Sequence, residues 1–233
     1  MNTEKFLNNL FPKGRECHID NNVITGYASA AKNMVSVVGT TDSAELAPDM
    51  ILKISSHVIE TIEQHPGYPI IILCDTKGQK LSRKAESLGM NAYVSHLLKT
   101  LQLARIKKHH IISVVYGYGW GAAILALGLS ADQTYGLKSS NIGEMTLEAM
   151  SKVTLLSVER LQKLSETCAT FAPGADNFIK LGGITDIWEE DQLSDKLIEA
   201  LSVKERTDNR SLTGLRNKGR TLSYTVCNDV INC

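Results

Sequence analysis

The stretch of sequence that decides the fold is residues 110–129, HIISVVYGYGWGAAILALGL. His110–Tyr116 is mostly β-branched and apolar, which is typical of a strand covered on both faces. Glycines follow at every second position up to Gly121, and Ala122–Leu129 is rich in helix-forming alanine and leucine. We therefore predict a buried strand, a glycine-rich turn at Gly117–Gly121 and a short apolar helix, in this order.

A second unit of the same kind precedes this one, with a buried strand at Ile70–Cys74, a polar loop at Asp75–Ser82 and a long helix. The residues of this helix that we expect to face inward are Val94, Leu97, Leu98, Leu101 and Ala104. Pro48 suits the first turn of a helix, and Ile51, Ile54, Val58 and Ile62 then form one apolar stripe. Further strands are predicted at Val23–Ala30, Met34–Gly39 and Thr134–Leu137. Strands that alternate with helices predict an α/β fold with a parallel or mixed sheet.

The ends of the chain differ in composition from its middle. Residues 1–16 carry Phe6, Leu7, Leu10 and Phe11, which either fold back on the core or dock a partner. We predict a docking segment at 1–16, one domain at 17–203 and a basic tail at 204–233. Within that tail, Lys204–Arg220 holds six basic and two acidic residues.

Composition excludes several classes of function. Lys plus Arg and Asp plus Glu both number 25, so no overall field attracts nucleic acid or an anionic membrane. Five scattered cysteines without a C-x-x-C pair, no signal-like N-terminus and no long apolar run predict a reduced, cytoplasmic protein with no membrane segment. No histidine spacing predicts a metal site.

Two strand-to-helix corners are the candidate functional site. They are Asp75–Gln79 and Gly117–Ala123, where unpaired backbone N–H groups can point outward. Two such donors about 3 Å from a developing oxyanion would each contribute roughly 3–4 kcal/mol. The alternative is that the glycines only permit a tight turn. The patterns G-x-G-x-x-G, G-x-x-x-x-G-K-[ST] and G-x-S-x-G are absent, so dinucleotide, triphosphate and serine-hydrolase chemistry are not indicated.

Several stretches resemble the gamma subunits of biotin-independent malonate decarboxylases. Asp75–Gln79 with Arg83 and Glu86–Gly89 is similar to the family's D-x-P-x-Q…R-x-x-E-x-L-G, and Val114–Gly128 to its strand, glycine turn and helix. Ala149–Lys152 resembles its A-M-G-K. The later stretches Ser157–Leu161 and Leu181–Ile184 also match, so the similarity covers roughly Val23–Glu190.

The resemblance implies a crotonase-like α/β fold with two stacked sheets and outer helices. It implies a carboxy-lyase that, with a beta subunit, decarboxylates a malonyl thioester held on an acyl-carrier subunit. The carrier's prosthetic group would be phosphoribosyl-dephospho-coenzyme A, and a transferase subunit would exchange acetyl for malonate. The catalytic donors would be the N–H groups of Gly121, Ala122, Gly78 and Gln79.

Substrate contacts are expected at four further positions: Gly117, Gly119, Trp120 and Glu148. Two residues depart from the family pattern, because Lys77 stands at its proline and Glu148 at the histidine before A-M-G-K. Two other functions fit the same motifs. One is a subunit of a biotin-dependent acyl-CoA carboxyl-transferase, and the other is a non-catalytic structural subunit of the decarboxylase complex.

Overall fold

A computed structural model describes residues 2–168, 171–203 and 208–233. The described strands are β1 (Arg15–Asp20), β2 (Val23–Ala30), β3 (Asn33–Thr40), β4 (Ile70–Thr76), β5 (Ile111–Trp120), β6 (Gln133–Leu137), β7 (Asn141–Gly143) and β8 (Asp186–Trp188). The described helices are α1 (Thr3–Leu10), α2 (Pro48–Gln64), α3 (Arg83–Ser87), α4 (Met90–Ile106), α5 (Gly121–Ala123), α6 (Leu147–Thr154), α7 (Val158–Thr167), α8 (Ala175–Lys180), α9 (Leu193–Ser202), α10 (Arg210–Arg216) and α11 (Ser223–Ile231). A π-helical turn, Ile124–Gly128, follows α5.

The described strands form one mixed sheet in the order β1-β2-β3-β4-β5-β6-β8. Strands β1 to β3 are antiparallel, and β3 to β6 and β8 are parallel. The expectation of two stacked sheets is corrected, because the described strands form one sheet. Only the short strand β7 lies off its main path, and it pairs with the last residues of β5, Tyr118–Trp120. Strand β5 is long enough to pair with β6 through its first half and with β7 through its end.

Alternating side chains of the central strands build a core on each face of the sheet. Ile70, Ile72 and Cys74 of β4 face one core, which α2, α4 and the π-helical turn cover. Ile71 and Leu73 face the other core, together with apolar residues of α1 and α9. Both faces of β4 are therefore buried, as its continuous apolar run predicted.

The N-terminal helix belongs to the chain's own core. Phe6, Leu7, Leu10 and Phe11 are buried, and the Phe6 ring stacks on Tyr116 with centroids 4.2 Å apart. These side chains are therefore not available as a docking surface for a partner, because the sheet already covers them. Asn2 caps α1 by accepting a hydrogen bond from the Glu4 N–H at 2.8 Å.

The described part of the predicted tail is folded rather than loose. Residues 204–207 lie outside the described residues, but α10 and α11 follow them. A Cβ at Gly214 would lie 2.7 Å from the Leu181 carbonyl oxygen, so α10 approaches the end of α8 with backbone against backbone. The Asn217 side-chain amide donates to the Ile179 carbonyl at 2.9 Å. Local composition missed this because the contacts join residues far apart in sequence.

The predicted glycine turn is a strand over most of its length. Residues 117–120 continue β5, and the chain turns only at Gly121. The predicted helix at Ala122–Leu129 is the short α5 followed by the π-helical turn. Among the described residues, no helix is both long and apolar enough to cross a membrane.

Candidate active site at the carboxyl ends of β4 and β5

The two predicted corners lie side by side, because they follow neighbouring parallel strands. The pairing of these strands shifts register here, since Cys74 pairs with Val115 but Thr76 pairs with Gly119. The extra residues on β5 form a bulge at Tyr116–Tyr118. Such bulges bend a strand and redirect its backbone groups, and they are frequent beside active sites.

Asp75 holds this bulge in place. Its buried carboxylate accepts hydrogen bonds from the Tyr118 N–H at 2.8 Å, the Ser43 N–H at 2.9 Å and the Ser43 hydroxyl at 3.2 Å. A Cβ at Gly117 would collide with this carboxylate. Asp75 fills the space that a side chain at Gly117 would need. Packing therefore explains this glycine without the predicted contact with substrate.

The first corner is tied internally by a short side chain. The Gly78 N–H donates to the Thr76 hydroxyl oxygen at 3.2 Å, and that hydroxyl donates to the Ala44 carbonyl at 2.6 Å. The Gly78 carbonyl accepts from the Leu46 N–H at 2.8 Å. Gly78 has φ +115°, a conformation that favours glycine. The N–H predicted as a donor at Gly78 is thus already paired within its own turn.

The second corner is tied by a long side chain from the first. The Ala122 N–H donates to the Gln79 side-chain carbonyl oxygen at 3.1 Å. Gly121 has φ +61°, and a Cβ there would lie 2.9 Å from that oxygen and 3.5 Å from the Gly78 Cα. The structure therefore brings together Gly78, Gln79, Gly121 and Ala122, the four residues predicted as the catalytic set.

The second corner thus binds a carbonyl-type oxygen. The Gln79 carboxamide oxygen is a neutral acceptor, and it belongs to a side chain rather than to the backbone. The Ala122 N–H is part-buried. A backbone donor in such a place costs no reorganisation when an oxyanion replaces the amide oxygen.

The other predicted residues are placed differently. Gly119 is buried, and a Cβ there would lie 2.5 Å from the Ile124 side chain, so core packing explains this glycine. The Trp120 indole N–H donates to the Asn141 side chain at 3.0 Å, and its ring lies against Gly143. Glu148 is exposed in the first turn of α6, and no hydrogen bond or ion pair among the described residues joins it to the corners.

A cavity of about 260 Å³ lies beyond the contact between Trp120 and Gly143. Six of the nine lining residues carry apolar or sulfur-containing side chains, but polar atoms form at least as much of the exposed wall, and Glu144 and Arg220 add one charge of each sign. The lining residues are Gly143, Glu144, Met145, Met150, Ala172, Pro173, Phe178, Leu181 and Arg220.

Neither a thiolate nor a metal centre is indicated at the corners. Cys74 directly precedes Asp75 but is fully buried, and burial first and the Asp75 charge second raise the pKa of its thiol far above the ordinary range. Among the described residues, no three His, Cys, Asp or Glu side chains lie close enough to hold a metal ion. The chemistry available at the corners is hydrogen bonding by backbone groups.

Sequence reasoning missed the side chains that fix the site. Asp75 was read only as the first residue of a corner, and Ser43 was not singled out. A carboxylate that ends a continuous apolar strand was the available signal, because such a group must be hydrogen-bonded when buried. Its partners, at Ser43 and Tyr118, are too distant in sequence for a local pattern to identify.

Comparison with solved structures identifies the fold class. The chain superimposes on a chain of the Pseudomonas malonate decarboxylase hetero-tetramer in complex with coenzyme A, with a TM-score of 0.82, 17% identity, and 98% of this chain and 97% of that chain covered. The Pseudomonas malonate decarboxylase MdcD-MdcE hetero-dimer matches with a TM-score of 0.77 and 17% identity over 97% of this chain and 98% of that chain. The fold is therefore the crotonase-like α/β fold.

Sequence comparison identifies the family. The sequence model of the malonate decarboxylase gamma subunit matches residues 41–233, so the chain belongs to this family. A curated relative, the malonyl-S-ACP:biotin-protein carboxyltransferase MADD of Malonomonas rubra, is 37% identical over 125 residues, which are 52% of this chain. The match spans 43% of that relative, so the chain corresponds to less than half of its length.

Proposed function

We propose that this chain is the gamma subunit of a malonate decarboxylase and acts with a beta subunit on a malonyl thioester carried by an acyl-carrier subunit. The observation that carries the proposal is the Ala122 N–H, which holds a carbonyl-type oxygen of Gln79 at 3.1 Å where the two glycine corners meet. A thioester oxygen is the same kind of acceptor. Family membership supports the choice of malonyl as the acyl group.

The reaction requires stabilisation of the negative charge that develops on the substrate, and it does not require a side-chain nucleophile. When the bond to the carboxyl carbon breaks, carbon dioxide leaves and the electron pair moves onto the thioester oxygen as an enolate. A proton then adds to the α-carbon and gives the acetyl thioester. Because negative charge grows on the oxygen only in the transition state, a fixed N–H donor there lowers the barrier.

Each part of the corner has a role in this proposal. The Ala122 N–H receives the thioester oxygen after the Gln79 side chain swings away. Gly121 leaves room for the thioester because it has no side chain, and Asp75 holds the β5 bulge at a fixed distance from the first corner. Gly78 positions the turn rather than serving as a donor, since its N–H is paired with Thr76.

The cavity beyond Trp120 gives the carrier arm a path beside the site. The cavity offers both apolar side chains and polar groups, which suits a pantetheine chain with its amides, and exposed Arg220 suits a phosphate. The proposed arm is phosphoribosyl-dephospho-coenzyme A, and an acetyl and malonyl transferase would reload it. All five cysteines are free, in line with the proposed cytoplasmic location.

The decisive experiment replaces Gly121 by valine in the assembled complex. The valine Cβ would lie 2.9 Å from the Gln79 oxygen, and its branched side chain would close the corner. We expect kcat for malonyl-thioester decarboxylation to fall about a hundredfold or more, the scale of one lost oxyanion donor. The φ of +61° also strains valine, so a loss of about 1–3 kcal/mol in stability accompanies it.

Two controls separate the site from folding. Ala122→Gly keeps the N–H and should lower kcat far less, and circular dichroism with size-exclusion chromatography checks that Gly121→Val still folds and assembles. A folded, assembled Gly121→Val complex with near wild-type turnover would place the chemistry in the partner. The chain would then be a structural subunit.

A second candidate function is supported by the curated relative. That relative is a malonyl-S-ACP:biotin-protein carboxyltransferase, which passes the carboxyl group to biotin. The same corner would stabilise the same enolate, so the two functions differ in the fate of the carboxyl group. Decarboxylation that avidin abolishes would select the biotin-dependent function, whereas avidin-resistant release of carbon dioxide supports the decarboxylase.

A further inference from the structure

Helix α11 turns its apolar side outward. Leu222, Val226 and Val230 are spaced by four residues, so they form one stripe along this helix and its N-cap. Their exposed fractions are 76%, 57% and 73%. The residues that face the protein, Tyr224 and Asn228, are only half-buried and carry polar groups. This arrangement is the reverse of a surface helix that packs on its own core.

The stripe is presented on a fixed support. Helix α11 packs on α10. A Cβ at Gly182 would collide with the Arg210 carbonyl, and a Cβ at Gly219 would collide with the Lys180 carbonyl. The Arg210 guanidinium donates to the Leu129 carbonyl. Because backbone meets backbone at these points, the segment before α11 has little freedom to fold the stripe inward.

A short helix also needs tertiary packing to persist. Helix α11 has nine residues, and isolated helices of this length are marginal in water. None of its residues is buried in the structure. Among the described residues nothing covers Leu222, Val226 or Val230, so the packing that stabilises the helix is incomplete within this chain.

Charges beside the stripe indicate what kind of surface fits it. Arg216 and Lys218 are exposed just before α11, and among the described residues neither of them forms an ion pair. A second copy of this chain would bring two such basic clusters together across a two-fold axis, which is unfavourable. A partner with an apolar groove and an acidic rim complements both the stripe and the cations.

We propose that the apolar stripe of α11 is the docking surface for the beta subunit. This inference rests on the proposed function, which requires such a partner. It also agrees with the solved structures, because one match is a hetero-dimer. The beta subunit would present an apolar groove edged by carboxylates.

The test is a charge substitution on the stripe. In the double variant Val226→Lys and Val230→Lys, each change raises helix propensity, so unfolding of α11 does not explain a loss of binding. The control is Ile106→Lys, which replaces an exposed apolar residue, 62% exposed, at the end of α4. Each gamma chain and the cognate beta subunit are expressed and purified separately, and the affinity between them is measured by isothermal titration calorimetry.

We expect the double variant to weaken the complex at least tenfold and Ile106→Lys to leave it unchanged. Wild-type affinity should also fall with added salt, since the cations contribute to docking. If the wild-type chain binds the beta subunit and the double variant binds equally well, the α11 surface is overturned while the proposed function stands. If the wild-type chain does not bind the beta subunit at all, both the α11 docking surface and the proposed function are contradicted. A wild-type homodimer that the double variant dissociates would assign the stripe to a second copy instead.

Discussion

The carboxyl and amino ends of the central strands β4 and β5 carry different kinds of residues. At their carboxyl ends lie glycines and a carboxylate, with backbone groups close to the surface. Aromatic rings close their amino ends: His65 stacks on Tyr68 with centroids 4.8 Å apart, and Tyr27 meets His65 edge-on at 4.7 Å. The carboxyl end is therefore the candidate site, whereas packed aromatic rings occupy the amino end.

Hydrogen bonding repeats this contrast. At the amino end, His109 Nδ1 pairs with the Tyr68 carbonyl at 2.8 Å, and His57 Nε2 pairs with the Gly26 carbonyl at 3.1 Å. Both contacts join a histidine side chain to a backbone carbonyl within the packed end of the sheet. At the carboxyl end, the Ala122 N–H donates to the Gln79 side chain at 3.1 Å. Substitutions should thus affect activity at one end and stability at the other.

Asp75→Ala should lower both stability and activity, because Asp75 contributes to both. The substitution removes the acceptor of the Ser43 and Tyr118 N–H groups. We expect the free energy of unfolding to fall by about 2–4 kcal/mol, since charged hydrogen bonds are lost and donors stay unpaired. Decarboxylation should fall as well, because the β5 bulge is released.

Urea unfolding and steady-state kinetics measure the two effects of Asp75→Ala. Glu45→Ala is the control, since Glu45 is exposed in the same loop and should change neither quantity. Asp75→Asn keeps one acceptor and should fall between Asp75→Ala and wild type. An unfolding free energy equal to wild type for Asp75→Ala would mean that the loop and bulge are held by other contacts.

Gln79→Glu should change activity and leave stability unchanged. A carboxylate would bind the Ala122 N–H more strongly than the amide does and would repel the malonyl carboxylate. We expect KM for the malonyl thioester to rise about tenfold, with the melting temperature close to wild type. Gln79→Ala frees the same N–H, so it should leave KM unchanged or lower. Equal KM values for Gln79→Glu and wild type would show that this side chain does not occupy the substrate's place.

His57→Gln tests the packing end through pH. Burial lowers the pKa of His57 below its ordinary value of 6.5, although the Gly26 carbonyl and Glu60 oppose the shift. The unfolded chain therefore binds a proton near pH 6.5 that the folded chain binds only at lower pH, so stability is lost as pH falls through this window.

We expect the wild-type melting temperature to drop more between pH 7.5 and pH 5 than that of His57→Gln. The difference should be small, on the order of 2 °C. Catalytic constants of the assembled complex should not change at pH 7.5. Identical pH profiles for His57→Gln and wild type would exclude His57 as the titrating group.

Local patterns predicted the elements that are apolar and regular. Strand β2 has the predicted bounds Val23–Ala30, and Ile51, Ile54 and Val58 are buried on α2. Strand β1 escaped prediction because it is a polar edge strand with mostly exposed side chains. Leu98 was expected to face inward but is 40% exposed. Strands β7 and β8 are three residues long, too short to show a period.

The sequence by itself predicted which residues meet at the candidate site, and it determined to which family the chain belongs. Gly78, Gln79, Gly121 and Ala122 were identified from two glycine corners and a resemblance, and the structure brings these residues together. Only the tertiary structure decided which N–H groups are paired. That choice depends on hydrogen bonds such as Asp75 to Tyr118 and Gln79 to Ala122, which span 43 residues and follow from the register of two parallel strands.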